Sequence, residues 1–224
     1  MRRYGLGMAN STPARREREL LCDLFLEVGP DMPTLCGEWT TRDLAAHLVM
    51  RERRPDGAAG IGIKRLATYG QKVQDSIAAT EWTELVEKVR SGPPAWSPVR
   101  IAAIDALANT VEFYVHHEDV RRAGDVWTAR ELDDDLNAAL VKVVSKMSKP
   151  LTRSSKVGVV LEPTDGGSVP STPIIANKAL PSVTVRGPLG ELVLFVYGRQ
   201  NKVEVELLGN DDDIARVVAA SFGI

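Results

Sequence analysis

Val111-Glu112-Phe113-Tyr114-Val115-His116-His117-Glu118-Asp119 decides how this chain is read, because it sets two of only three histidines inside an unbroken helical run. Nothing between Ile101 and Arg122 breaks a helix, and Gly124 follows as a terminator. At helical spacing Asp105, Asn109, Glu112, His116 and Asp119 form one stripe, whereas Ile104, Leu107, Ala108, Val111 and Val115 adjoin it. A polar stripe beside an apolar one predicts a helix that packs in a bundle and faces a polar groove.

The preceding sequence supplies further helices for such a bundle. Thr12 can cap a helix whose first turn accepts Pro13, and Leu20, Leu21, Leu24, Phe25 and Val28 give it one apolar face before Gly29 stops it. Asp31 to Trp39, with Pro33 and Gly37, reads as a loop. Thr40 and Asp43 then form a capping arrangement for a helix from Thr41 to about Arg53. After Pro55 and a stretch holding Gly57, Gly60 and Gly62, the runs Arg65–Ala79 and Trp82–Val89 have helical spacing, closed by Ser91-Gly92-Pro93-Pro94. Leu132–Met147 predicts one more amphipathic helix.

The character changes at Ser148–Ser155, basic and serine-rich around Pro150, after which β-branched residues dominate. Val157–Leu161, Thr172–Ala176, Val183–Arg186 and Val203–Leu208 read as strands, with a turn at Asp165-Gly166-Gly167. Leu189–Tyr197 and Asp211–Ala220 read as helices, the first ended by Gly198. The expected class is α+β: a helical bundle over residues 12–148, then a small α/β domain over residues 156–224.

Composition narrows the function. Over 224 residues, 44% apolar and 26% charged residues are ordinary globular values, and a net charge of −2 offers no general attraction to nucleic acid or anionic membranes. No apolar run approaches the roughly 18 residues of a membrane span. Arg2 and Arg3 are not followed by the apolar core of a signal peptide, and Met8 is an alternative start. Cys22 and Cys36 form no Cys-x-x-Cys pair, so neither a disulfide scaffold nor a thiolate zinc knuckle is supported, and the cytoplasm is the expected compartment.

Glu112 and His116, four apart on a helix, can reach a single ion. His47, in Asp43-Leu44-Ala45-Ala46-His47-Leu48-Val49, has apolar or small neighbours and is expected to face inward. Meeting the other two, it would complete a two-histidine, one-carboxylate set suited to zinc or another divalent metal with open positions. Asp43 and Asp119 are candidates to accept the second imidazole N–H of those ligands. The same spacing also fits a hydrogen-bonded core histidine beside a solvated helix face. Cys36 lacks a partner that sequence can show, Trp39, Trp82 and Trp96 read as packing anchors, and Arg51, Arg53, Arg54, Arg121 and Arg122 read as solvated charges rather than an anion clamp.

Two stretches, Trp39-Thr40-Thr41-Arg42-Asp43-Leu44-Ala45-Ala46-His47-Leu48 and Glu112-Phe113-Tyr114-Val115-His116-His117-Glu118-Asp119, resemble the DinB-like superfamily, specifically a metal-binding branch of the mycothiol-dependent maleylpyruvate isomerase type. The resemblance implies a four-helix bundle holding a divalent metal, carried over onto His47, Glu112 and His116. It also implies a small α/β domain behind the bundle, in which Gly187-Pro188-Leu189-Gly190-Glu191-Leu192 through Tyr197-Gly198-Arg199 matches a helix ending in Gly-Arg.

The expected chemistry is then metal-dependent and thiol-based: a coordinated low-molecular-weight thiol, mycothiol by the resemblance, is activated as a thiolate that attacks an electrophilic carbon in S-transfer or isomerisation. Arg199 would bind a substrate carboxylate or the polar groups of the thiol. The rival readings are a hydrolase, with Asp119 or Glu118 handling protons, and a non-catalytic metal-binding or sensory protein. Partners are expected to be small molecules, with the protein a monomer or homodimer.

Overall fold

The computed structural model describes residues 11–94, 102–167, 169 and 171–223. Met8, Trp96 and Ile101 lie outside them, as do the side chains of Ile104, Asp105, Leu107 and Ala108. Helix α1 (Pro13–Val28) starts where expected: Thr12 Oγ1 accepts from the Arg15 amide at 3.4 Å, and Gly29 ends it with φ of 82°. Helix α2 (Thr41–Arg53) begins at a complete capping box, in which Thr40 accepts from the Asp43 amide while Asp43 Oδ2 accepts from the Thr40 amide at 2.9 Å.

The glycine-rich stretch is itself a helix, α3 (Pro55–Gly62), followed by a 3₁₀ turn (Lys64–Leu66) and α4 (Ala67–Ala78). Proline at the first position costs α3 nothing, and its glycines let it lie against α4 backbone to backbone. A Cβ on Gly60 would stand 2.8 Å from the Leu66 carbonyl oxygen and 3.0 Å from the Gly70 Cα. Helices α5 (Trp82–Ser91) and α6 (Ala102–Arg121) complete the first unit. Its core is formed by Leu21, Cys22 and Phe25 of α1, Leu44, Ala45, Leu48 and Val49 of α2, Leu85, Val86 and Val89 of α5, and Phe113 and Val120 of α6.

The chain divides into two compact units between Trp127 and Thr128, not in the serine-rich stretch at 148–155. Helix α7 (Asp134–Leu151) therefore belongs with the later strands, and it packs on α8 (Leu189–Val196) and β2 (Ile174–Asn177). Its apolar residues Leu136, Leu140, Val143, Val144 and Leu151 are buried there. An amphipathic pattern says that a helix has a partner, not which partner it has.

The second unit holds a four-stranded sheet in the order β2-β1-β3-β4, built from β1 (Gly158–Pro163), β2, β3 (Ser182–Gly187) and β4 (Glu206–Leu208). β1 and β3 are parallel in register Val159 to Val183 and Leu161 to Val185, and the outer pairs are antiparallel. All eight residues of α8 are buried, and α9 (Asp211–Val218) closes the fold from an Asn210 cap. The architecture is α+β, as expected. Among the described residues no helix is long and apolar enough to cross a membrane.

Candidate metal centre

The capping box fixes the start of α2, and one further turn and a half brings His47 to the seam that α2 shares with α6. There His47 Nε2 stands 3.6 Å from Glu112 Oε1, and His116 Nε2 stands 3.4 Å from the same oxygen. The two rings meet edge to face with centroids 5.7 Å apart. One donor atom from each of the three residues lies within 4.8 Å of the others. For ligands about 2.1 Å from a tetrahedral ion, donor atoms sit about 3.4 Å apart, so these separations suit shared coordination better than direct hydrogen bonding.

Behind His116 the other ring nitrogen is fixed. His116 Nδ1 donates to Asp119 Oδ2 at 2.9 Å, and the Cys36 thiol donates to the same oxygen at 3.0 Å while lying 3.6 Å from Nδ1. Cys36, His116 and Asp119 thus form a second cluster of potential ligand atoms on the far edge of the ring. The loop that carries Cys36 is tied down by the Leu35 amide, which donates to the Asp119 carbonyl at 3.1 Å. Its other end places Trp39 over His47, with ring centroids 5.0 Å apart.

Asp119 lies where its spacing predicts, but Asp43 does not. The Asp43 carboxylate accepts from the Thr40 amide and hydroxyl at the helix cap, and His47 Nδ1 is buried without a hydrogen-bond partner. Helix-start chemistry outcompetes an imidazole one turn away. Glu118, weighed as a proton-handling group, is fully buried and accepts from Arg121 Nη1 at 2.7 Å and from Arg122 Nε at 2.6 Å. Arg199 lies in the second unit, where its guanidinium donates to the Tyr197 carbonyl. Cys36 and Arg51 are the site residues that spacing missed: a loop thiol has no periodicity, and Arg51 follows His47 by one turn as any exposed arginine could.

Burial pushes the His47 imidazole below its ordinary value, against a smaller opposing pull from Glu112, so it is neutral at pH 7 and one of its ring nitrogens keeps a lone pair for an ion. Burial alone would raise Glu112, but contacts with His116, His47 and Arg51 outweigh it and hold the carboxyl well below its usual range. Burial would likewise lower His116, yet Asp119, Cys36 and Glu112 together hold it well above an ordinary histidine. In the metal-free protein the centre is therefore a protonated imidazole between two carboxylates, a charge distribution that a divalent cation can replace.

The donors fit such an ion. Two imidazoles and one carboxylate are borderline-hard ligands that suit zinc, and the buried carboxylate behind His116 is the usual outer partner of a metal-binding histidine. His47 lacks that outer partner.

A helical unit followed by a small mixed α/β unit defines a class of fold that solved structures share. No family model matches the sequence, and no curated protein matches it. The structure of a mycothiol-dependent maleylpyruvate isomerase is similar with a TM-score of 0.56 and 17% identity, covering 87% of this chain and 90% of that one. A histidine-to-alanine mutant of the mycothiol-dependent maleylpyruvate isomerase aligns over the same shares at TM-score 0.57 and 17% identity. At that identity the likeness is one of fold.

Proposed function

We propose that this protein is a divalent-metal-dependent thiol S-transferase or isomerase, with zinc as the metal and a low-molecular-weight thiol, mycothiol, as cosubstrate. The observation that carries the reading is the convergence of His47 Nε2 and His116 Nε2 on one oxygen of Glu112 at 3.6 and 3.4 Å. The fold of solved mycothiol-dependent isomerases supports the choice of chemistry and of thiol.

A bound cation would supply Lewis acidity, lowering the pKa of a coordinating thiol so that it reacts as a nucleophile at neutral pH. The chain's own residues prepare that chemistry. Asp119 holds the Nδ1 proton of His116 and thereby aims the Nε2 lone pair at the Glu112 side. Trp39 covers the His47 ring and excludes water from it. His47, Glu112 and His116 would hold the ion with three protein ligands, the number that catalytic rather than structural zinc sites use.

The test begins with metal content and a cobalt-substituted spectrum of the purified protein. About one equivalent of cobalt, with a visible spectrum that changes and a proton that is released on adding a small thiol, is the expected result. A spectrum indifferent to thiol would overturn the thiol chemistry and leave a structural or sensory metal site.

A further inference from the structure

We infer that Arg51 is the anion-recognising residue of this centre, taking the carboxylate of a small molecule bound beside the ion. The inference rests on the metal-centre reading above and extends it to the ligand's charge.

The four arginines that share Arg51's expected role as solvated charge have definite protein partners. Arg53 donates through Nη2 to the Lys88 and Gly92 carbonyls at the end of α5. Arg54 is engaged by Asp56 through Nε and Nη2, and Arg121 and Arg122 by Glu118. Arg51 differs. Its Nη1 donates to Asn109 Oδ1 at 2.7 Å, its Nε lies 3.5 Å from Glu112 Oε1, and among the described residues no further bond uses the guanidinium. Its side chain remains 22% exposed. Asn109, itself buried, thus orients a guanidinium whose Nη2 edge is left for a ligand.

The placement gives that edge a purpose. Arg51 follows His47 by one turn of α2, and Asn109 precedes Glu112 by nearly one turn of α6, so the pair forms the next rung of the same seam. The opposite rung is Asp119 with Cys36, anionic, fully buried at the carboxylate and closed by the tethered loop. An incoming anion is repelled at one rung and attracted at the other. Once Glu112 is committed to a cation, its charge no longer offsets Arg51, and the guanidinium is the cation free to meet an oxyanion in the two-bond geometry that arginine favours.

The probes are 3-mercaptopropionate and 3-mercaptopropionamide, equal in shape and different in charge, titrated into cobalt-loaded protein and read by the visible spectrum. The wild type is expected to bind the acid about tenfold more tightly than the amide, the scale of one charge-assisted hydrogen bond. Arg51→Gln should still take up cobalt but lose that preference, and Arg51→Lys should keep part of it. No preference in the wild type, or a preference that survives in Arg51→Gln, overturns the assignment while leaving the metal centre intact. If Arg51→Gln fails to fold, loss of the wild-type preference at high salt supports the assignment and its persistence overturns it. Absence of any cobalt spectrum in the wild type removes the metal reading and this one with it.

Discussion

Two adjacent residues of α6 meet opposite fates. His117 faces α1, where Nδ1 lies 3.1 Å from Glu17 Oε2 in a buried pair. His116 faces α2, where its Nε2 stands 3.4 Å from a carboxylate that another histidine also approaches. The first is a finished contact between two helices. The second is three donors held at the spacing of a coordination shell, and that spacing, not burial or residue type, separates a packing histidine from a candidate ligand.

The sharpest way to break this contrast is to remove each ring in turn. His116→Ala should abolish retention of metal after dialysis, read by elemental analysis, with the fold preserved by circular dichroism. His117→Ala should do the reverse: keep the metal and lower stability by about 1–3 kcal/mol, because the buried Glu17 carboxylate loses its contact with the ring. If His117→Ala loses metal as completely as His116→Ala, the two faces are not distinct. A smaller effect sharpens the role of the outer carboxylate: Asp119→Asn should weaken metal affinity about 10- to 100-fold without abolishing it, measured by competition with a chelator.

The mildest expected effect is on pH dependence. His116 holds its proton above the ordinary value in the metal-free protein, so metal must displace it and affinity should rise with pH, by up to about tenfold per unit, until that elevated pKa is passed. The stability linkage has the opposite sign. The proton on His116 stabilises the metal-free fold fully below the unfolded pKa of about 6.5, and that contribution is lost as pH rises through the folded value. Thermal melts of metal-free protein against pH should fall over the interval in which metal affinity climbs. Parallel rather than opposed trends would mean that His116 is not the group being displaced.

Much of the fold and of the candidate centre is legible in the chain itself, for local reasons. Thr40 and Asp43 are three apart and cap their own helix, and Glu112 and His116 are four apart on one face, so both features are written within a turn. The features that escape are long-range. Asp43 is the local exception: spacing offers its carboxylate both to the helix cap and to His47, and the cap takes it. The glycines of α3 read as a break because the reason for them, close approach of α4, lies ten residues further on at Gly70. The division of the chain at Trp127 is hidden because α7 has the same amphipathic pattern whichever unit buries it. Cys36 reaches the site through a loop whose anchor, the Asp119 carbonyl, is a backbone atom and so has no signature in side chains.

The wholly buried α8 sets how its unit must assemble. A helix with eight enclosed residues has no side it can present to water, and at that length it has little persistence alone. It gains its shelter only when α7 and the sheet close around it together. Loss of any one wall would open this helix to water, so the second unit is expected to unfold in one cooperative step.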